Sequence, residues 1–188
     1  MGHALILTER IYWPAAQMNA ATGNWSLFDV DYDTVGEDPI AAQLSGSNQK
    51  VAYVEFNDAQ TTMVRRHHRL PSDWYPAGPI DLRLLWCTPA TSGNVVWSVQ
   101  TAFRAEGGVG TLDPAFNAAA TVTTAAPGTA HRLVMSELLA LSKTGAVAPC
   151  LLFLGITRTP AAAGDTITNN ARLVGVECSY QRIVTMGP

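Results

Sequence analysis

Five consecutive positions, Arg65-Arg66-His67-His68-Arg69, carry three guanidinium groups and two imidazoles. A set of this kind could ligate a metal through its imidazoles or hold phosphate through its arginines. The geometry of an extended chain argues against both. On a strand Arg65, His67 and Arg69 take one face, while Val64, Arg66, His68 and Leu70 take the other. The imidazoles then point apart and cannot share a metal without a bulge. The arginines divide in the same way, so the segment alone makes no continuous basic stripe. Pro71 removes a ladder donor, and Ser72-Asp73 opens a turn before Trp74. The segment reads as the end of an outer strand kept soluble by charge, with Arg65, His67 and Arg69 as candidate contacts to a neighbouring subunit.

Other chemistries find weaker carriers. Asp29, Asp31 and Asp33 have the spacing that begins a calcium loop, but position six of that loop would be Thr34 and position twelve Ile40, where glycine and glutamate are needed. A solvated acidic turn is the plainer reading, and a looser calcium site completed by another loop is the alternative. The stretch EGGVG at 106–110 lacks the Lys-Ser/Thr of a phosphate loop and reads as a surface turn. Cys87, Cys150 and Cys178 are too widely spaced for a zinc pattern and read as small buried apolar residues. Glu55 and Asp58 are the nearest carboxylate pair that could serve glycoside hydrolysis, and nothing around them supports it. Trp74 and Tyr75, in a proline-rich turn, could stack on a sugar, although core or turn packing explains them more simply. No catalytic, metal or cofactor site is expected.

The elements that must position these residues read as β throughout. VAYVEF (51–56), MVRRHHRL (63–70), IDLRLLWC (80–87) and VVWSVQTAF (95–103) are short runs bounded by Gly, Pro, Asn and Ser. In IDLRLLWC the residues Ile80, Leu82, Leu84 and Trp86 share one face, as in a half-buried strand. Gly93 can supply the positive φ that the following connection needs. CLLFLGITR (150–158) suits a strand in a sandwich core, and RLVGVECSYQRIV (172–184) a long closing strand. HRLVMSELLALS (131–142) also suits a helix, but its neighbours favour a strand. Asp113-Pro114 fits an N-cap and first helical residue, so a short helical turn is expected near 113–119. The sum is an all-β protein: a β-sandwich of jelly-roll type with about eight antiparallel strands over residues 51–188. Residues 1–50 read as a loop-rich extension for docking and assembly, whose Tyr12, Trp13, Trp25 and Phe28 are candidate assembly contacts.

Composition bounds the partners. The 188 residues favour one domain plus an extension, and a net charge of -3 gives no field that would draw nucleic acid. Charged residues are only 14% of the chain, against roughly 25% in an ordinary soluble domain. A polar but weakly charged surface costs little to desolvate against another protein, which favours assembly. No apolar run reaches about 18 residues and the start lacks signal-peptide features, so no membrane partner or general export is expected.

RLPSDW, LLW, TSGNVVW, LDPAFN, TVTTAAPGTA and NNARLVGVE, in that order over residues 69–178, resemble a family of short all-β proteins of tailed bacteriophages and phage-like metagenomic contigs. Its members are jelly-roll modules of virion structural proteins. The resemblance implies a non-enzymatic protein of the virion exterior, made in the host cytoplasm. The first expectation is a capsid (head) decoration or spike subunit that self-associates as a homotrimer and docks on a major capsid or tail protein. The alternative is a tail-attached module that binds a receptor or host surface glycan. A polysaccharide hydrolase is a third and weaker possibility.

Overall fold

The computed structural model describes residues 4–14, 29–30, 40–45, 50–59, 61 and 63–185. Their strands are β1 (Ala4–Pro14), β2 (Asp29–Val30), β3 (Ile40–Ser45), β4 (Lys50–Phe56), β5 (Met63–Leu70) and β6 (Ile80–Cys87), then β7 (Asn94–Ala105), β8 (Ala120–Ala125), β9 (Val134–Met135), β10 (Leu139–Ala140), β11 (Cys150–Arg158) and β12 (Ala171–Thr185). All pairings are antiparallel. One sheet runs β10-β6-β12-β4-β3, with β9 also on β6 and β1 also on β12; the other runs β2-β5-β11-β7-β8. The expected β-sandwich is therefore present.

Alternation in the sequence explains which faces meet. Ile80, Leu82, Leu84 and Trp86 of β6 are at most 1% exposed, as are Cys150, Leu152, Leu154 and Ile156 of β11. Burying each large aliphatic or aromatic side chain contributes about 1.5–3 kcal/mol. At the centre Trp97 of β7 stands edge-on to Phe56, with ring centroids 5.2 Å apart, and to Trp86 at 6.0 Å. In β12 the buried set changes from Ala171 and Leu173 to Val176, Cys178 and Tyr180. A register shift between Leu173 and Gly175 makes that change of parity. Gly93 has φ +92°, as the connection before β7 requires.

Two polar arrangements, one buried and one at the surface, tie loops to the sheets. Arg158, fully buried, forms a fork with Asp165 at 3.0 and 2.8 Å and donates to the carbonyls of Ile167 and Asn169 at 2.8 Å each. Asp165 also accepts the Val96 N–H, so the loop 159–170 is tied to β7 and β11. At the surface Lys143 donates to the carbonyls of Pro76, Ala77 and Gly78.

The helical turn expected near 113–119 does not form; among the described residues there is no helix. The Asn117 N–H goes instead to the Thr101 carbonyl at 2.7 Å, and its side-chain amide to the Thr144 carbonyl at 3.0 Å. These bonds hold the segment against β7 where the β8 pairing has ended at Val99. The strand expected over 131–142 is present in two pieces. Between β9 and β10, Ser136 donates its N–H to Leu84 O and accepts the Leu84 N–H on Oγ, while Glu137 and Leu138 stand exposed.

Parts of residues 1–50 belong to the first sheet. β1 pairs with β12 from Ala4–Thr185 to Pro14–Gly175, and β3 pairs with β4.

Candidate functional site

The outer face of the second sheet is built by the residues that strand alternation turns away from the core. Along β5 these are Arg65, His67 and Arg69, all exposed, while Val64 and Leu70 are buried and Arg66 and His68 partly so. In register with them on β11 are Gly155, Phe153 and Leu151, and beyond these on β7 are Gln100, Ala102 and Arg104. Phe153 thus has the His67 ring on one side and the small Ala102 on the other. The segment 112–116 crosses this face as a strap, and the two enclose a groove of about 460 Å3.

Glycine at 155 makes the strap possible. A Cβ there would come within 2.9 Å of Met63 Sδ and 3.2 Å of Phe116 Cζ, so only its absence lets Phe116 lie down on β11. The Arg65 guanidinium sits 5.7 Å from the Phe116 ring centroid, a cation–π distance. Leu112, 74% exposed, and the exposed Asp113 form the outer wall. Arg69, one row further, pairs with Glu106, which lowers the Glu106 carboxyl below its usual range. The groove therefore joins an aromatic floor, two cationic or proton-donating side chains and one carboxylate.

The inner face of β5 does different work. The Arg66 guanidinium lies 4.8 Å from the Trp13 ring centroid, and His68 lies 5.3 Å from Trp13 and 6.3 Å from Tyr180. Burial, and after it the positive charge of Arg66, lowers the His68 pKa, with Glu9 opposing and His67 adding a little. Trp13, only 3% exposed, is thus a core residue of its own chain rather than a free assembly contact. Its place on the inward face of β1 explains this: the second sheet lies opposite. Tyr12 faces the other way, is 51% exposed and covers Gly175, where any Cβ would collide with the phenol. Trp25, Phe28, Asp31 and Asp33 lie outside the described residues, and of Asp29 only the backbone pairing to Arg65 is described.

Trp74 does not offer a sugar platform. It is 1% exposed and stacks on Phe103, with centroids 6.3 Å apart and planes 5° from parallel. The turn around it is fixed to β12 by the Tyr75 N–H on Gln181 O and by the Asp73 carboxylate on Arg182. Tyr75 is half-buried beside it. Glu55 is taken up by Arg172 at 2.7 Å and Asn170 at 2.8 Å, an arrangement that ties β4 to β12. The three cysteines are buried and unpaired, and burial pushes the Cys178 thiol up to about 12. Among the described residues no three His, Cys, Asp or Glu converge as metal ligands would. The EGGVG stretch is an exposed turn with positive φ at Gly107 and Gly110.

Sequence reading missed Phe116, Phe153 and Gly155. Their only local signals were an aromatic in LDPAF and a glycine inside an otherwise apolar run, and neither says that the two segments meet.

No family model matches this chain, and no curated protein matches it. Among solved structures the chain is similar to an isomalto-dextranase of Arthrobacter globiformis T6 complexed with panose. The TM-score is 0.49 at 14% identity, over 90% of this chain and 23% of that one. The chain spans under a quarter of that enzyme's length.

Proposed function

We propose that this chain is a non-enzymatic structural module of a virion exterior, a jelly-roll head decoration or spike subunit that associates with copies of itself through β1. The observation that carries the proposal is the exposure of three consecutive apolar residues, Leu5, Ile6 and Leu7, at 43, 49 and 46%. Odd positions of β1 face the second sheet, where Ile11 and Trp13 pack into the core. Leu5 and Leu7 share that face but lie past the end of the core, and Ile6 lies on the other. The outer edge of β1 also has no strand partner among the described residues. An apolar strand with an open edge is a liability in a monomer and an asset in an oligomer.

Three copies gathered about a common axis would bury these side chains together, which suits a spike or decoration trimer docked on a capsid or tail protein. The sequence resemblance over residues 69–178 supports the virion setting. Sedimentation of the full chain tests the assembly: a trimer is expected, and Leu5→Asp combined with Leu7→Asp should dissociate it. A wild-type protein that sediments as a monomer at tens of micromolar, roughly the range of a modest subunit affinity, sinks the proposal.

A second reading, recognition of a host surface glycan or receptor, is favoured by the groove between β5, β11 and the 112–116 strap.

A further inference from the structure

The groove combines features that a single ligand chemistry explains together. Its volume of about 460 Å3 lies in the range of small-molecule sites, roughly 300–1,000 Å3. Its floor is the partly exposed Phe153 ring, flanked in register by His67 of β5 and by the small, buried Ala102 of β7. An apolar ring surface of this kind suits the C–H face of a pyranose. At one edge stand Arg65, with five donors in a planar fork, and the His67 imidazole. The strap supplies Asp113, which can accept from sugar hydroxyls, and Phe116, which holds the Arg65 guanidinium at 5.7 Å.

A neutral sugar would use the floor and leave the cationic edge without a role. A bare anion would use the edge and leave the floor. The chain as a whole has a net charge of -3, yet this groove takes its edge from the most cationic run in the sequence. We infer that the groove binds a carboxylated sugar of the uronic-acid type, with the ring stacked on Phe153 and the carboxylate held by Arg65 and His67. The inference deepens the glycan-binding reading above and is independent of assembly through β1. A guanidinium can serve more than one acceptor, so the carboxylate adds to the contacts Arg65 already makes.

Calorimetric titration of the full chain with trigalacturonate, beside maltotriose as a neutral trisaccharide and inorganic phosphate as a bare anion, tests it. Trigalacturonate should bind, and the other two at least about tenfold more weakly, a difference of about 1.4 kcal/mol. Arg65→Gln and His67→Ala, both on the exposed face, should each weaken trigalacturonate binding with little change for maltotriose. Phe153→Ala, at the floor, should weaken both. Equal affinity for maltotriose overturns the acidic assignment while glycan binding stands. Phosphate competing as well as trigalacturonate overturns the sugar. No binding of either trisaccharide at millimolar concentration overturns both the inference and the glycan-binding reading, whereas the sedimentation result is untouched by all three outcomes.

Discussion

Arg158 and His68 are both basic side chains turned into the sandwich, and the surroundings of each dictate opposite consequences. Arg158 is fully buried but completely served, by a carboxylate and carbonyl groups. Arg158→Ala would leave Asp165 buried at 1% exposure without its counter-charge. The expected loss is about 3–5 kcal/mol, read from urea unfolding. His68 has aromatic rings on two sides and Arg66 beside it, and its Nε2 is buried without a partner. Its folded pKa is below the ordinary value near 6.5. The unfolded chain therefore takes up the proton first as pH falls, and stability present above about pH 6.5 is lost below it. Thermal unfolding followed from about pH 7 to about pH 5 should show that decline, and His68→Gln should make it shallower. An unchanged slope in the variant would remove His68 as the cause.

At the scale of elements, the strands that alternate cleanly were legible and the places where alternation breaks were not. The run RRHHR alone assigned Arg65, His67 and Arg69 to one face and Arg66 and His68 to the other, because a period of two needs no partner to be read. IDLRLLWC was equally plain. The parity change in β12 was hidden because Leu173-Val174-Gly175-Val176 is apolar throughout, so either register looks acceptable in sequence. The strap escaped for a different reason. Asp113-Pro114 carries a local helix-start signal, and hydrogen bonds from Asn117 to residues of distant segments override it. Gly155 is where the strap and β11 depend on each other. Gly155→Ala should cost about 1–3 kcal/mol by overpacking, because the added carbon meets Met63 and Phe116. Chemical denaturation measures that cost, and pairing the change with Phe116→Ala should recover part of it. Ser136→Ala makes a separate test at the broken edge of β6, since the buried Leu84 N–H loses its acceptor. There the expected loss is about 1–3 kcal/mol, and faster amide exchange at Leu84 would locate it.

At the scale of the whole molecule, β1 belongs to two structures at once. Its last third, through Ile11 and Trp13, completes the core of the sandwich. Its first third, Leu5 to Leu7, lies beyond that core and is exposed. The Arg182 guanidinium, held by Glu9 and Asp73, stands between the two regions and fixes β1 and the Trp74 turn to β12. This division predicts that assembly and folding can be separated along one strand. Leu5→Asp with Leu7→Asp should abolish the oligomer and leave monomer stability nearly unchanged, because the residues replaced are already about half in water. Trp13→Ala should do the reverse at first: it removes a buried indole from between Arg66, His68 and the core. The expected loss is about 3–5 kcal/mol, with weaker association following only as folding fails. Sedimentation and thermal unfolding run on both variants give the check. If Trp13→Ala dissociates the protein while its melting temperature holds, or the double aspartate variant unfolds outright, then β1 acts as a single unit and the proposed division along it is wrong.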